Sequence, residues 1–234
     1  YNITVIEDAA QAVNSKYNNK YAGALSDIGT YSFHATKSYS CGEGGAITLN
    51  NDKYLKRIEY IVEKGTDRSL VVQGVQNKYS WVDYGSSYLP SDILASLLFS
   101  QLNNKDLLQE KRKILFNRYL TVFKSYEQYG LQCISVPKNV DSNYHAFWVV
   151  FNSEKMREDF LRMSLENEIF AYIGYIPLHN SKMGIELGGL KYDLPVTDSI
   201  AKRVVRLPFF LMSDKELDYV SEKYKEILTK LYSQ

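Results

Sequence analysis

The residue best suited to covalent chemistry in this sequence is a lysine that follows a predicted strand. Residues 29–33 combine aromatic and β-branched side chains, as strands do, and residues 42–45 form a glycine-rich loop that lets backbone approach a ligand closely. Lys37 therefore lies just past the end of a strand. A desolvated lysine amine loses its proton near neutral pH and condenses with a carbonyl to a Schiff base. A solvated loop lysine is the alternative interpretation.

A carboxylate at the end of an earlier predicted strand gives Lys37 a chemical partner. The short apolar run in residues 2–6 closes on Glu7 and Asp8 before a small-residue helix start, which predicts a buried parallel strand with Asp8 at its carboxyl end. Open α/β sheets bind ligands at that edge. Asp8 as a helix N-cap is the alternative. Together the two strand ends match pyridoxal phosphate (PLP), which needs a lysine for its aldehyde and a carboxylate to keep its pyridine nitrogen protonated.

The composition of the chain argues against several other classes of protein. Among 234 residues, 28 Lys and Arg stand against 27 Asp and Glu, and the net charge of +1 favours neither nucleic acid nor a membrane as partner. Cys41 and Cys133 lack the spacing of a metal site, so we predict no bound metal and reduced thiols in a cytoplasmic protein. No apolar run approaches the roughly 20 residues that span a bilayer. We therefore expect a globular protein that acts on small molecules.

Hydrophobic patterns predict the remaining elements. They are a strand at 46–49, a helix at 53–64, a long helix at 91–126 interrupted near 103–104, strands at 145–151 and 169–175, and helices at 154–168, 197–204 and 213–231. Residues 66–89 and 177–192 lack periodicity and read as loops, the first with the aromatic and polar mixture typical of functional loops.

The motifs around these two strand ends resemble a known enzyme family. In order and spacing, four segments resemble the PLP-dependent nucleotide-sugar aminotransferases of the DegT/DnrJ/EryC1/StrS family, namely residues 6–11, 23–29, 32–37 and 42–46. Four later segments look most like one branch, the dTDP-4-amino-4,6-dideoxygalactose transaminases: residues 63–69, 78–83, 85–89 and 175–179. The resemblance covers essentially the whole chain.

The resemblance implies an α/β fold of the fold-type-I PLP aminotransferase kind. Residues 1–112 would form the back half of the large three-layer α/β/α domain that binds PLP, and residues 113–234 a small C-terminal α+β domain, with the boundary near Arg112. The resemblance also implies that an amino-terminal portion, which supplies part of the phosphate site, is absent. We expect the chain alone to be poorly active.

The resemblance assigns roles to particular residues. The implied catalytic residues are Lys37 and Asp8, the implied cofactor-binding residues are Asp8, Gln11, Ser32, Lys37, Ser86 and Ser87, and the implied substrate-binding residues are Glu43, Tyr175 and His179.

Several of these roles have alternatives. Gln11 could lie on one helical face with Asp8 and reach the cofactor, or could be an exposed surface residue. Ser32 could bind phosphate or only satisfy backbone. Glu43 could line the sugar pocket or brace the glycine loop. Ser86 and Ser87 stand where many family members have an asparagine, which leaves their phosphate contact open.

The activity implied by the resemblance is transamination of a dTDP-linked 4-keto-6-deoxyhexose to the 4-amino sugar, with glutamate as donor. Such a reaction belongs to the biosynthesis of surface polysaccharides such as lipopolysaccharide O-antigen, and the family implies a homodimer. The alternatives are action on another sugar position and a non-catalytic or regulatory protein with a PLP fold. A sugar dehydratase of the same fold is disfavoured, because those enzymes have histidine in place of Lys37.

Overall fold

The strands that end at Asp8 and shortly before Lys37 belong to the first of two structural units. A computed structural model describes Tyr1 and residues 3–233, apart from the side chain of Leu190, so the prediction at Asn2 lies outside the described residues. The first unit comprises Tyr1–Leu107 and Pro137–Asn143, and the second comprises Leu108–Val136 and the residues from Tyr144 onward. The domain boundary near Arg112 stays a prediction.

Strands in both units are short. In chain order they are β1 (Ile6–Asp8), β2 (Lys16–Tyr17), β3 (Lys20–Tyr21), β4 (Ile28–Ser32), β5 (Gly45–Leu49), β6 (Gln132–Cys133), β7 (Val140–Asp141), β8 (Trp148–Val150), β9 (Tyr172–Ile173) and β10 (Val204–Arg206). The first unit contains a sheet of order β1-β4-β5, in which β1 and β4 are parallel, and a sheet of order β3-β2-β7. The second unit contains an antiparallel sheet of order β6-β8-β10-β9.

In chain order the helices are α1 (Leu55–Val62), α2 (Arg68–Val72), α3 (Asp92–Asn103), α4 (Lys105–Lys124), α5 (Glu154–Glu166), α6 (Lys182–Glu186), α7 (Pro195–Ala201) and α8 (Asp214–Tyr232). Six of these helices in the described residues correspond to predicted helices, whereas α2 and α6 lie in segments that were predicted as loops. The predicted interruption of the long helix is confirmed, because Asn104 separates α3 from α4. Within the part of the chain that the structure describes, no helix is both long and apolar enough to span a bilayer.

Several predicted boundaries in the second unit are wrong. The strands expected at 145–151 and 169–175 shrink to β8 and β9, and the loop at 177–192 contains α6. The helix expected at 197–204 begins earlier, with Pro195 in its first turn, and ends at Ala201. Val204 instead opens β10, which pairs with both β8 and β9 and so gains ladder hydrogen bonds on two sides.

The expectation of a buried first strand is also wrong. Val5 and Ile6 are 53% and 65% exposed. The reason is geometric, since β1 is an edge strand of its sheet and no described element covers the apolar side chains of Val5 and Ile6.

The second unit has a dense aromatic core. Helices α5 and α8 pack together, and the Phe160 and Tyr224 rings stack with centroids 5.3 Å apart. Phe123 meets Tyr224 edge-on at 5.4 Å. The core also contains Tyr119, whose hydroxyl donates to the carbonyl of Pro208 at 2.8 Å. By contrast, the buried hydroxyl of Tyr224 has no hydrogen-bond partner among the described residues.

These two tyrosines give a matched test of the core. Tyr119→Phe removes a satisfied hydrogen bond and leaves the Pro208 carbonyl unpaired, so we expect it to lower the free energy of unfolding by about 1 kcal/mol. Tyr224→Phe removes a hydroxyl that is buried without a partner, so stability should be unchanged or higher. Denaturant unfolding measures both, and an equal loss in the two variants would contradict this packing.

Candidate functional site

The candidate site lies at the carboxyl ends of two neighbouring parallel strands. Asp8 stands in register with Thr30 of β4, and the N–H of Ala9 donates to the Thr30 carbonyl at 3.0 Å. Ser32 is the last residue of β4, and Lys37 follows it in the next loop. Because the two strands run in the same direction, the carboxylate and the lysine loop emerge at the same edge of the sheet.

Two glycines allow β4 and the turn that precedes it to pack closely together. A Cβ on Gly29 of β4 would meet the carbonyl oxygen of Gly23, and a Cβ on Gly23, whose φ is +86°, would meet the Tyr31 hydroxyl. That hydroxyl donates to the carbonyl of Ala22. Burial, with a smaller contribution from Glu7, raises the pKa of Tyr31, so the donor keeps its proton.

The helix expected after Asp8 does not form, which corrects two predictions. Residues 9–14 adopt turns. Asp8 therefore caps no helix, and its Oδ1 instead accepts the N–H of Ala10 at 3.0 Å, as in an Asx-turn. Gln11 does not share a helical face with Asp8, although both side chains are exposed at this edge.

The helix does not form because a distant side chain donates hydrogen bonds to this backbone, which local sequence patterns do not reveal. Asn143 is buried, and its Nδ2 donates to the carbonyls of Gln11 and Val13 at 2.9 and 3.0 Å. These bonds satisfy carbonyl groups that a helix would have paired internally.

Lys37 is carried by a loop that hydrogen-bonds to itself. Phe33 N–H donates to the Gly44 carbonyl at 2.8 Å, Ala35 N–H to the Gly42 carbonyl at 2.7 Å, and Lys37 N–H to the His34 carbonyl at 2.9 Å. The side chain of Lys37 is half-buried, and no carboxylate among the described residues forms an ion pair with its Nζ. An amine without an ion-pair partner is available for bonding to a ligand.

Ser32 makes one of the two contacts that the sequence left open, the one to backbone, while its phosphate role stays a prediction. Its Oγ accepts the N–H of His34 at the long distance of 3.4 Å, which is a weak backbone contact. The hydroxyl proton is still available for donation to a phosphate oxygen.

Glu43 interacts with a histidine of the lysine loop. Its Oε1 lies 3.5 Å from His34 Nε2, while its side chain is 81% exposed. The N–H of Thr36 donates to His34 Nδ1 at 3.2 Å, so the neutral ring carries its proton on Nε2, facing Glu43. Glu43 thus contacts the lysine loop, and its contact with a sugar stays a prediction.

The tip of the lysine loop is anchored to the helices of the first unit. Gln101 of α3 accepts the N–H of Ser40 through its Oε1 at 2.9 Å. The hydroxyl of Tyr39, a fully buried residue, donates to the carbonyl of Lys105 at 3.2 Å. These anchors were not predicted, because they join residues more than sixty positions apart.

Ser86 and Ser87 lie beside the end of α1. Ser86 N–H donates to the Ile61 carbonyl at 3.0 Å, and the Ser86 carbonyl accepts the N–H of Lys64 at 3.0 Å. Ser87 forms an isolated bridge with Glu63. Both serine side chains are exposed, so these backbone contacts leave their hydroxyls accessible.

Tyr175 and His179 belong to the second unit. Tyr175 is exposed and lines an open, largely apolar cleft of about 480 Å³, together with residues of α7 such as Ile200. His179 Nε2 lies 3.1 Å from Asp198 Oδ1, which also accepts from Asn180 Nδ2 at 2.6 Å. Asp198 therefore orients His179, which follows the cleft residue Leu178 in the chain.

The donor set at the strand ends fits PLP. An exposed carboxylate, a half-buried amine without an ion pair and a serine hydroxyl lie along one sheet edge. No group of three or more His, Cys, Asp or Glu suited to a metal ion occurs in the described ranges.

Comparison with solved structures finds proteins with a similar fold. Over 98% of the chain, it superimposes with a TM-score of 0.82 and 24% identity on the PLP form of Spr1654, a putative sugar aminotransferase from Streptococcus pneumoniae, and it matches the PMP form of that protein with a TM-score of 0.83. The predicted fold class is confirmed.

Sequence comparisons find curated relatives of similar identity. The GDP-perosamine synthase of Escherichia coli O157:H7 is 28% identical over 232 residues, which are 96% of this chain and 58% of that protein. A pleiotropic regulatory protein of Geobacillus stearothermophilus is 29% identical over 229 residues, 97% of this chain and 58% of that protein. The chain thus spans about three fifths of the length of these relatives.

The model of the DegT/DnrJ/EryC1/StrS aminotransferase family matches residues 1–225. The chain belongs to this family, which confirms the predicted family and its dependence on PLP. The closer resemblance to the dTDP-4-amino-4,6-dideoxygalactose transaminases stays a prediction.

The anchoring of the lysine loop gives a testable prediction. Gln101→Leu deletes the acceptor for Ser40 N–H, so amide hydrogen exchange at residues 40–42 should accelerate, and stability should fall by about 1 kcal/mol. Gln101→Glu is the matched control, because it keeps a side-chain oxygen at the same position. Equal exchange in the leucine variant and the parent would show that the loop does not depend on this anchor.

Proposed function

We propose that this protein catalyses PLP-dependent transamination of a dTDP-linked 4-keto-6-deoxyhexose to the 4-amino sugar, with glutamate as amino donor, in the biosynthesis of surface polysaccharide such as O-antigen. The observation that carries the proposal is the placement of Asp8 and the Lys37 loop at the carboxyl ends of the parallel strands β1 and β4. Membership of an aminotransferase family supports the reaction class.

The roles of the chain's own residues follow from their chemistry. PLP, when bound, supplies the aldehyde and the electron-accepting ring. Lys37 would hold the cofactor through its amine, and its Nζ, when free, would move a proton during the reaction. Asp8 would hold the proton on the ring nitrogen by opposite charge, and Gln11 would contact the ring from the following turn. Ser32, Ser86 and Ser87 would donate hydrogen bonds from their hydroxyls to the phosphate.

The substrate proposal rests on relatives and on the second unit. GDP-perosamine synthase is named for a nucleotide-linked amino sugar, and the sequence resemblance favours the dTDP-linked galactose branch. In our proposal Tyr175, His179 and Glu43 contact the sugar nucleotide. Asp198 would hold His179 in one orientation, which suits a residue that recognises a sugar hydroxyl.

We also propose a cytoplasmic homodimer. The first unit exposes large apolar side chains on α3 and in the preceding loop, including Ile93 at 80%, Phe99 at 68% and Trp81 at 75%. Apolar patches of this kind mark protein interfaces. The chain spans about three fifths of the length of its relatives, so we assign the proposed activity to the whole protein.

A regulatory, non-catalytic role is the second candidate. The relative from Geobacillus stearothermophilus, which is named a pleiotropic regulatory protein, favours it. The presence of both Lys37 and Asp8 supports the catalytic role, because a regulator has no need of an amine and a carboxylate at adjoining strand ends.

The direct test is Lys37→Ala in the complete protein. We expect loss of the covalent PLP linkage and a fall in turnover of about 10²–10⁴-fold from the lost proton transfer alone. Lys37→Arg, which keeps the charge but cannot attach PLP, should be equally impaired, and exposed Lys20→Ala should behave like the parent. Near-normal transamination by Lys37→Ala would refute the assignment.

Asp8→Asn separates the cofactor role from the turn role. An asparagine oxygen still accepts the N–H of Ala10, so the turn and the melting temperature should be preserved. The amide cannot balance a pyridinium charge, so the rate of the half-reaction with glutamate should fall by about tenfold or more. Rates equal to those of the parent would show that Asp8 stabilises the turn and has no role at the cofactor.

A further inference from the structure

A buried asparagine from a distant part of the chain holds the backbone that follows Asp8. Asn143 is 4% exposed, and its Nδ2 donates both protons, one to the Gln11 carbonyl at 2.9 Å and one to the Val13 carbonyl at 3.0 Å. Its own N–H donates to Ser15 Oγ at 3.0 Å. Three hydrogen bonds therefore join one residue to the segment 11–15.

This segment has little regular hydrogen bonding of its own. It consists of turns closed by Ala12 N–H to the Ala9 carbonyl and by Ser15 N–H to the Ala12 carbonyl, both at 2.9 Å. The carbonyls of Gln11 and Val13 take their donors from Asn143. An amide is the side chain suited to this task, because its two protons point in fixed directions in one plane.

Asn143 is itself held in place before any ligand binds. It ends the segment Pro137–Asn143, which pairs with β2 through β7. In the same segment, the carbonyl of Asn139 accepts the N–H of Asn18 at 2.9 Å. The donors for the turn after Asp8 thus sit on a paired strand segment, and their position is preorganised.

We propose that Asn143 is a positioning residue for the cofactor site. It fixes the turns of residues 9–15, and through them Gln11 and the Ala10 N–H that orients the Asp8 carboxylate, without touching the cofactor. The inference rests on the proposed function, in which these two side chains bind PLP. Gln11 is exposed and projects from turns that lack a helix to hold it. Asp8 ends β1, and its carboxylate accepts the Ala10 N–H of the same turns, so both side chains depend on the backbone hydrogen bonds of this segment. A displacement of about 1 Å at such a site costs as much as 10²-fold in rate.

The test compares two Asn→Asp changes on one segment of the complete protein. Asn143→Asp is nearly isosteric, but it removes both donated protons and sets a carboxylate against two carbonyls. We expect PLP to bind at least about tenfold more weakly, faster amide exchange at residues 9–15 without PLP, and a shifted visible absorption of bound PLP at saturation. Asn139→Asp is the control, because the hydrogen bond that Asn139 accepts from Asn18 uses its backbone carbonyl and not its side chain.

A milder variant covers the case in which Asn143→Asp does not fold. Ser15→Ala removes only the acceptor of Asn143 N–H, and it should weaken PLP binding in the same direction by a smaller factor. A lowered melting temperature with parental PLP affinity and absorption, in Asn143→Asp or in folded Ser15→Ala, would reduce Asn143 to a structural role and overturn the inference. Failure of the parent to bind PLP would instead overturn the proposed function, and the inference with it.

Discussion

The parallel pairing of β1 with β4 is the interaction on which the candidate site depends. It sets Asp8 opposite Thr30 and brings the carboxylate to the edge from which the Lys37 loop emerges. On its other contacts β4 is fixed as well, because Gly29 packs so closely on the Gly23 carbonyl that no side chain fits between them. A slip of β1 along β4 would move Asp8 away from its place opposite Thr30 and so away from the end of β4 that leads to the Lys37 loop.

The two units are stabilised by different kinds of interaction. The second unit buries a continuous aromatic cluster between its antiparallel sheet and its helices, with Phe147 and Phe160 fully enclosed. The first unit holds its functional segments chiefly by long-range hydrogen bonds, such as those from Ser40 to Gln101 and from Asn143 to Gln11, while apolar side chains of β1 and α3 stay exposed. Hydrogen bonds fix the position of functional groups well, whereas the exposed apolar surface favours a partner.

Sequence reasoning succeeded where the physical cause is local. The break at Asn104 and the start of α8 at Ser213 follow from residues within one turn of the boundary, and Ser213 indeed caps α8 by accepting the Glu216 N–H. It failed where the cause is distant. The helix expected after Asp8 is replaced by turns because Asn143, more than 120 positions away, supplies donors to its carbonyls. Likewise β10 is too short for its sequence to show the alternation of a strand. It forms because it pairs with β8. The pairing of strand ends was inferred from motif order, whereas the anchors behind them could be found only in the structure.

The proposed function requires that Lys37 bonds covalently to PLP. The most direct measurement is to incubate the unmodified complete protein with PLP, reduce it with borohydride, digest it and locate the modified residue by mass spectrometry. We expect one stoichiometric pyridoxyl label on the peptide that contains Lys37, and loss of that label when glutamate is added before reduction. A label spread over surface lysines such as Lys20 and Lys56, or no label at all, would contradict the proposed function.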